Sequence, residues 1–184
     1  LNLTGGTLTV TDVDSPLLAA ATVRLIDPPD GDAEWMLVDT SGTPIDATYA
    51  EGVLELAGAA APAVYQQVLG TIKYWNASQD PDPAERVFQI TVADNQAVSV
   101  AGSVFVQVQP VNDPPELDLD GVGPDMDYET TFFINRGPVP VVAQSLVVSD
   151  IDNTTLKSAT IRIVNLENRQ AEFLAADLDG VSNI

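Results

Sequence analysis

The sequence predicts an all-β fold, β-sandwich units in tandem with one short helix around 61–69, and three observations carry this reading. Residues 8–42 lie without a gap over residues 146–180, at an offset of 138, with 12 identities in 35 positions. A fixed long period marks a folded unit duplicated along the chain. Apolar residues alternate with period two through most of the remaining sequence. Clusters of Gly, Pro and Asp, such as Asp27-Pro28-Pro29-Asp30-Gly31, separate the alternating runs at spacings of roughly ten residues, as in sandwiches.

Residues 8–10, 22–26, 34–38, 53–56 and 71–75 are the first candidate strands. Residues 59–69 break the pattern, because good helix formers dominate and Val64, Val68 and Leu69 fall at helical spacing with Tyr65 beside them. A short helix crossing between two sheets is expected there. Residues 86–93 alternate again, with Phe88, Ile90 and Val92 on one face. After the turn signal Asp94-Asn95-Gln96, residues 98–108 resume with Val104, Val106 and Val108 aligned, so the two runs read as a hairpin, with Gly102 marking a bulge or break.

Val111-Asn112-Asp113-Pro114-Pro115 punctuates the chain most strongly. Two prolines in succession remove ladder donors and force extended geometry, so a boundary is placed here, between a unit over 1–113 and a second over 114–184. The second unit is expected to open with Leu117 and Leu119 alternating, to continue through 131–134 and 139–142, and to reach the repeated segment at Leu146. About 30 residues precede that segment in the second unit and only seven in the first. The first copy therefore reads as lacking its opening strands and the second as truncated, either as a fragment of an array or as a subunit completed by strands of a neighbour.

Lys plus Arg number 7 against 27 Asp plus Glu, a net charge of −20. Such a surface repels nucleic acid and attracts divalent cations. The chain has no Cys and no His, which excludes disulfides, thiolate metal sites and a histidine base, and leaves hard cations bound by oxygen. No apolar run approaches the roughly 20 residues of a membrane span. Asn2, Asn76 and Asn153 begin Asn-x-Ser/Thr sequons, possible glycosylation sites in a secreted protein.

The repeat carries its own candidate site. Asp12 and Asp14 return as Asp150 and Asp152, each pair followed by Ala-Thr-x-Arg at the same distance. Calcium takes six to eight oxygens, and alternate carboxylates can supply several of them. The competing reading is a solvated turn in which Asp accepts local backbone N–H groups. Asp118 with Asp120, and Asp125 with Asp127, are further alternating pairs, and Asp94 closes a strand where either a ligand or a hairpin turn would serve. Glycosidase chemistry needs two carboxylates across a cleft, one of them kept protonated, and repeated loop acids on so negative a chain suit it poorly. The chain is read as a non-enzyme. Trp35 is replaced by Phe173 in the second copy, which favours packing, while Trp75 is the better candidate for an exposed sugar platform.

Taken together, the Asp-x-Asp loop, residues 65–74 (YQQVLGTIKY), residues 88–94 (FQITVAD) and residues 111–115 (VNDPP) make the chain resemble cadherin-like tandem repeats of large acidic surface or secreted proteins. The resemblance implies Ig-like Greek-key sandwiches strung head to tail, with Ca2+ near the junctions. By position it assigns Asp150 and Asp152 to the Asp-x-Asp element of the second repeat and Asn112 and Asp113 to the linker element. Asp12 and Asp14 would serve a junction with a preceding repeat, and Asp94 the acid that ends a strand. The implied function is an extracellular structural or adhesive link whose partners are neighbouring repeats, with strand-exchanged filament assembly and binding of surface glycans as alternatives.

Overall fold

The computed structural model describes residues 8–168 and 171–177. It separates into two compact units, Leu1–Pro114 and Pro115–Ile184. In the first unit the order is β1 (Leu18–Ile26), a 3-10 turn (Gly31–Ala33), β2 (Glu34–Leu37), β3 (Asp46–Ala50), β4 (Val53–Ala60), α1 (Pro62–Leu69), β5 (Lys73–Asn76), β6 (Arg86–Ala93) and β7 (Gly102–Val106). The second unit contributes β8 (Glu116–Asp118) and β9 (Val147–Ser149). All pairings are antiparallel. The described chain is thus mainly β with one short helix.

A five-stranded sheet in the order β3-β4-β1-β6-β7 faces a two-stranded sheet of β2 and β5. Alternation decides which side chains lie between them. Val23 and Leu25 of β1, Leu54 and Leu56 of β4, Phe88 and Ile90 of β6 and Val106 of β7 come from the larger sheet, and Met36 and Tyr74 from the smaller. Tyr74 meets Phe88 edge to face, with ring centroids 5.5 Å apart, so the two sheets touch through aromatic packing.

The helix starts with Pro62 at a position where a missing N–H costs nothing. It buries Tyr65, Val68 and Leu69. The Tyr65 hydroxyl donates to the Gly58 carbonyl at 2.8 Å, tying the helix back to the strand before it. Sequence patterning did not indicate β3, because all five of its residues are exposed and no face is marked by hydrophobicity. Its turn into β4 is Glu51-Gly52, both at positive φ (49° and 76°), a two-residue hairpin turn written without the usual Asn-Gly signature.

Some expected strands are absent from the structure. Residues 8–10 form none, although Val10 is buried and its N–H donates to the Gln66 side chain at 3.1 Å. The counterparts of Thr9 and Val10, Val147 and Val148, do lie in a strand, β9, because Glu116–Asp118 pairs with it. Residues 131–134 and 139–142 are irregular, and so are 159–163, the counterparts of the central residues of β1. In the first unit those residues sit between β4 and β6. Strand structure is non-local, and at the 138-residue offset the counterparts of β4 and β6 fall outside this sequence. Val23 is accordingly fully buried while Ile161 is 67% exposed.

Local structure does recur. Asp12 Oδ1 accepts the N–H groups of Asp14 (3.2 Å) and Ser15 (2.8 Å), and Asp150 Oδ1 accepts those of Asp152 (3.0 Å) and Asn153 (2.8 Å). The Ala33 N–H donates to the Asp30 carbonyl and the Ala171 N–H to that of Asn168, both at 3.1 Å. These shared contacts are all made within a few residues of the chain.

Candidate functional site

The end of the first unit where β1 begins and β6 finishes carries three of the predicted ligands. Asp94 follows β6, and its Oδ1 accepts the N–H groups of Gln96 (2.8 Å) and Ala97 (2.7 Å). The Ser15 hydroxyl donates to its Oδ2, so the loops holding Asp12, Asp14 and Asp94 are tied together by Ser15. The Ser15 hydroxyl and the Gln96 and Ala97 amides hold the Asp94 carboxyl below the usual carboxylate range. In the linker, the Asn112 side chain donates to the Asp113 carbonyl at 2.6 Å. Asp150 and Asp152 belong to the second unit.

The donor set does not make a calcium site by itself. Asp12, Asp94 and Asp150 each spend one oxygen on two backbone amides, the geometry of a local turn. Asp118 does the same toward Asp120 (3.1 Å) and Gly121 (2.8 Å), and those amides lower its carboxyl's affinity for a proton. Among the described residues no three Asp or Glu side chains converge as metal ligands would. In the second unit Asp120, Asp125 and Asp127 line one side of an open hollow of about 570 Å³ without closing on a common point.

The most highly organised polar cluster lies elsewhere. Arg86, the first residue of β6, is fully buried. Its Nε donates to Glu34 Oε2 at 2.9 Å, Nη2 to Asp30 Oδ2 at 2.5 Å, and Nη1 to the carbonyls of Asp82 (2.7 Å) and Ala84 (2.5 Å). The Tyr74 hydroxyl donates to Glu34 Oε2 at 2.6 Å, the Asn76 side chain to Asp30 Oδ2 at 2.6 Å, and the Asp30 N–H to Glu34 Oε1 at 2.9 Å. Among the described residues no buried side-chain N or O atom lacks a partner. The cluster joins the loop after β1, the small sheet and the start of β6, and its full satisfaction marks a structural clamp rather than a reactive site.

Sequence reasoning missed this cluster although signals were present. Arg86 shares a face with Phe88 and Ile90, and Glu34 shares one with Met36, so strict alternation drives both charges inward, where each requires the other. The Asn76 sequon lies within it: Oδ1 accepts the Ser78 N–H at 2.8 Å while the amide nitrogen holds Asp30. Asn153 is exposed, with its side chain donating to Asp150 Oδ1 at 3.1 Å, and Asn2 lies outside the described residues.

Burial would raise the Asp30 carboxyl, but the Asp82 amide, Asn76 and Arg86 outweigh it and hold it below its ordinary value of 3.8. Burial first, and the Glu34 carboxylate second, push the Tyr74 hydroxyl up to about 12 from 10.0. The folded state thus keeps this proton where the unfolded chain has lost it, so stability from Tyr74 is complete below pH 10 and lost as pH rises toward 12. Denaturant titrations across that window should show a loss that is about 2 kcal/mol smaller in Tyr74→Phe, where the remaining loss comes from Tyr49 and Tyr65, whose hydroxyls burial also pushes up. Asp30 works in the opposite direction: its contribution is present above about pH 4 and lost as pH falls further.

Trp35 and Trp75 are direct cross-strand neighbours on the outer face of the small sheet, with centroids 6.1 Å apart and planes tilted by 35°. Trp75 is 54% exposed and Trp35 is half-buried. No helix among the described residues is long and apolar enough to cross a membrane. Comparison with protein-family models, curated proteins and solved structures finds no match to this chain.

Proposed function

We propose that this chain is a non-enzymatic, extracellular structural or adhesive segment, built of Ig-like Greek-key β-sandwich repeats in series, with Ca2+ taken up where repeats meet. The path of the chain through the first unit carries this reading. Residue 20 pairs with Ala93 and Ile26 with Val87, so β1 enters at the end where β6 finishes, and Val106 pairs with Arg86, so β7 leaves at the opposite end. A unit entered at one end and left at the other, followed by Pro114-Pro115, is suited to a linear array. Successive strands also switch between the two sheets, from β1 to β2, back to β3 and β4, then to β5 and back to β6, as Greek-key connections require.

Calcium in this proposal belongs to the junction and not to the interior of a unit, since the loop acids of each unit already close their own turns. A cation held between units needs carboxylates from both sides, and the net charge of −20 makes that neutralisation favourable. Small-angle scattering of the chain in millimolar Ca2+ and in EDTA is the test. Calcium should narrow the distribution of overall dimensions while leaving the melting midpoint of the first unit unchanged. Superimposable scattering curves would remove calcium from the proposal.

A further inference from the structure

We propose that a groove beside residues 8–11 of the first unit is the seat of a β-strand of the β8 kind, supplied by a second copy of the extended Glu-Leu-Asp-Leu segment of residues 116–119. The groove encloses about 420 Å³. Leu8, Val10, Leu69, Ile90, Val92 and Val104 line it together with the neutral polar side chains of two threonines and two serines. No ionisable side chain lines it. β7 is the outer strand of its sheet, so one backbone edge faces this space.

The repeat identifies the occupant. Residues 9–11 correspond to Val147–Ser149, which form β9 by pairing with Glu116–Asp118, and Leu117 stands opposite Val148. Transferred by the 138-residue offset, that register sets a leucine opposite Val10, whose own position in the first unit is irregular backbone. Leu117 and Leu119 alternate with Glu116 and Asp118, so a strand of this sequence can turn its leucines toward Val10, Leu69, Ile90 and Val104 and its acids toward water. The second unit gives the same strand little cover: Leu117 is 48% exposed, and Val147 and Val148 are 49% and 46% exposed. A two-stranded ribbon so exposed is marginal, whereas the groove offers buried apolar neighbours and lies against β7, the outer strand of its sheet among the described residues.

Joining a second copy of residues 114–138 ahead of Leu1 supplies the strand and preserves the offset. Hydrogen exchange of the extended full chain should then show the amides of residues 9–11 slowed at least tenfold, and the melting midpoint of the first unit should rise. Leu117→Asp made in the added copy alone should cancel both effects. Unchanged exchange at residues 9–11 with an unchanged midpoint would overturn the assignment. So would a gain that survives Leu117→Asp, since the added residues would then act elsewhere. The inference rests on the duplicated unit and not on calcium, so scattering that ignores Ca2+ leaves it standing, and a failed strand leaves the junction proposal standing.

Discussion

Replacing Arg86 with methionine is expected to lower the unfolding free energy of the first unit by about 3–5 kcal/mol, measured by urea titration at pH 7. The guanidinium and the Glu34 carboxylate are both fully buried at the side chain, and Asp30 is 10% exposed. Taking such ions out of water is costly, and only their mutual pairing offsets it. Methionine fills much of the volume but leaves Glu34 and Asp30 as uncompensated buried charges, with the carbonyls of Asp82 and Ala84 losing their donor as well. The same substitution made in Glu34→Gln should cost less than in the parent chain, because one charge has already been removed. A coupling energy of zero in that double-mutant cycle would contradict the ion-pair account.

The clamp also explains a choice that composition makes conspicuous. With seven cations against 27 acids, nearly every arginine could be expected at the surface, relieving repulsion. Arg86 instead lies where the loop after β1 and the small sheet meet the start of β6, and it holds Asp30 and Glu34, 56 and 52 residues away, as well as the Asp82 carbonyl just ahead of its own strand. Asp30 and Glu34 have the counterparts Asn168 and Glu172 in the second copy, and there too the backbone N–H of residue 168 donates to the glutamate, at 3.3 Å. The glutamate of the clamp is therefore written into the repeated segment, with Asn168 where the first copy has Asp30, while its arginine comes from a strand outside it.

This division marks what could be read from sequence. Alternation alone located β1, β2, β4, β5, β6 and β7 to within a few residues, and helix-forming composition with the helical spacing of Val64, Val68 and Leu69 located α1. These elements bury a face, so their composition reports it. β3 buries nothing and leaves no such trace. Residues 131–134 and 139–142 are apolar enough to be expected as strands and yet form none, because apolar composition states what a segment could pair with and not whether a partner is present. The acids teach the complementary lesson. Asp12 and Asp150 recur because the same two amides must be satisfied in each loop, so recurrence of a carboxylate is not by itself a sign of metal. The clamp was legible in principle from the inward phase of Arg86 and Glu34, but which acid meets which base is set by the return of β6 alongside β1, a long-range pairing.

The second large effect is expected at Gly58, where alanine should destabilise the first unit by about 3 kcal/mol or more. Gly58 has φ +146°, a region that side chains rarely enter, and a Cβ built there would stand 2.2 Å from the Pro44 carbonyl oxygen and 3.1 Å from Ile45 Cα. Both contacts are to backbone, so no side chain can swing aside. The position matters because β4 changes register against β1 here: Ala20 pairs with Ala57 but Leu18 pairs with Ala60, so one extra residue is accommodated on the β4 side. That irregularity presents the Gly58 carbonyl to the Tyr65 hydroxyl, which connects the end of the sheet to the helix. Gly58→Ala must therefore either push away the segment of Pro44 and Ile45 that leads into β3, or flatten the bulge and lose the Tyr65 hydrogen bond. The two are separable by hydrogen exchange. Loss confined to residues 44–46 indicates displacement of the neighbouring segment, whereas loss extending through Pro62–Leu69 indicates that the bulge has gone and the helix has come loose with it. A Gly58→Ala chain that melts with the parent would show that this backbone is not held where Pro44 closes over it.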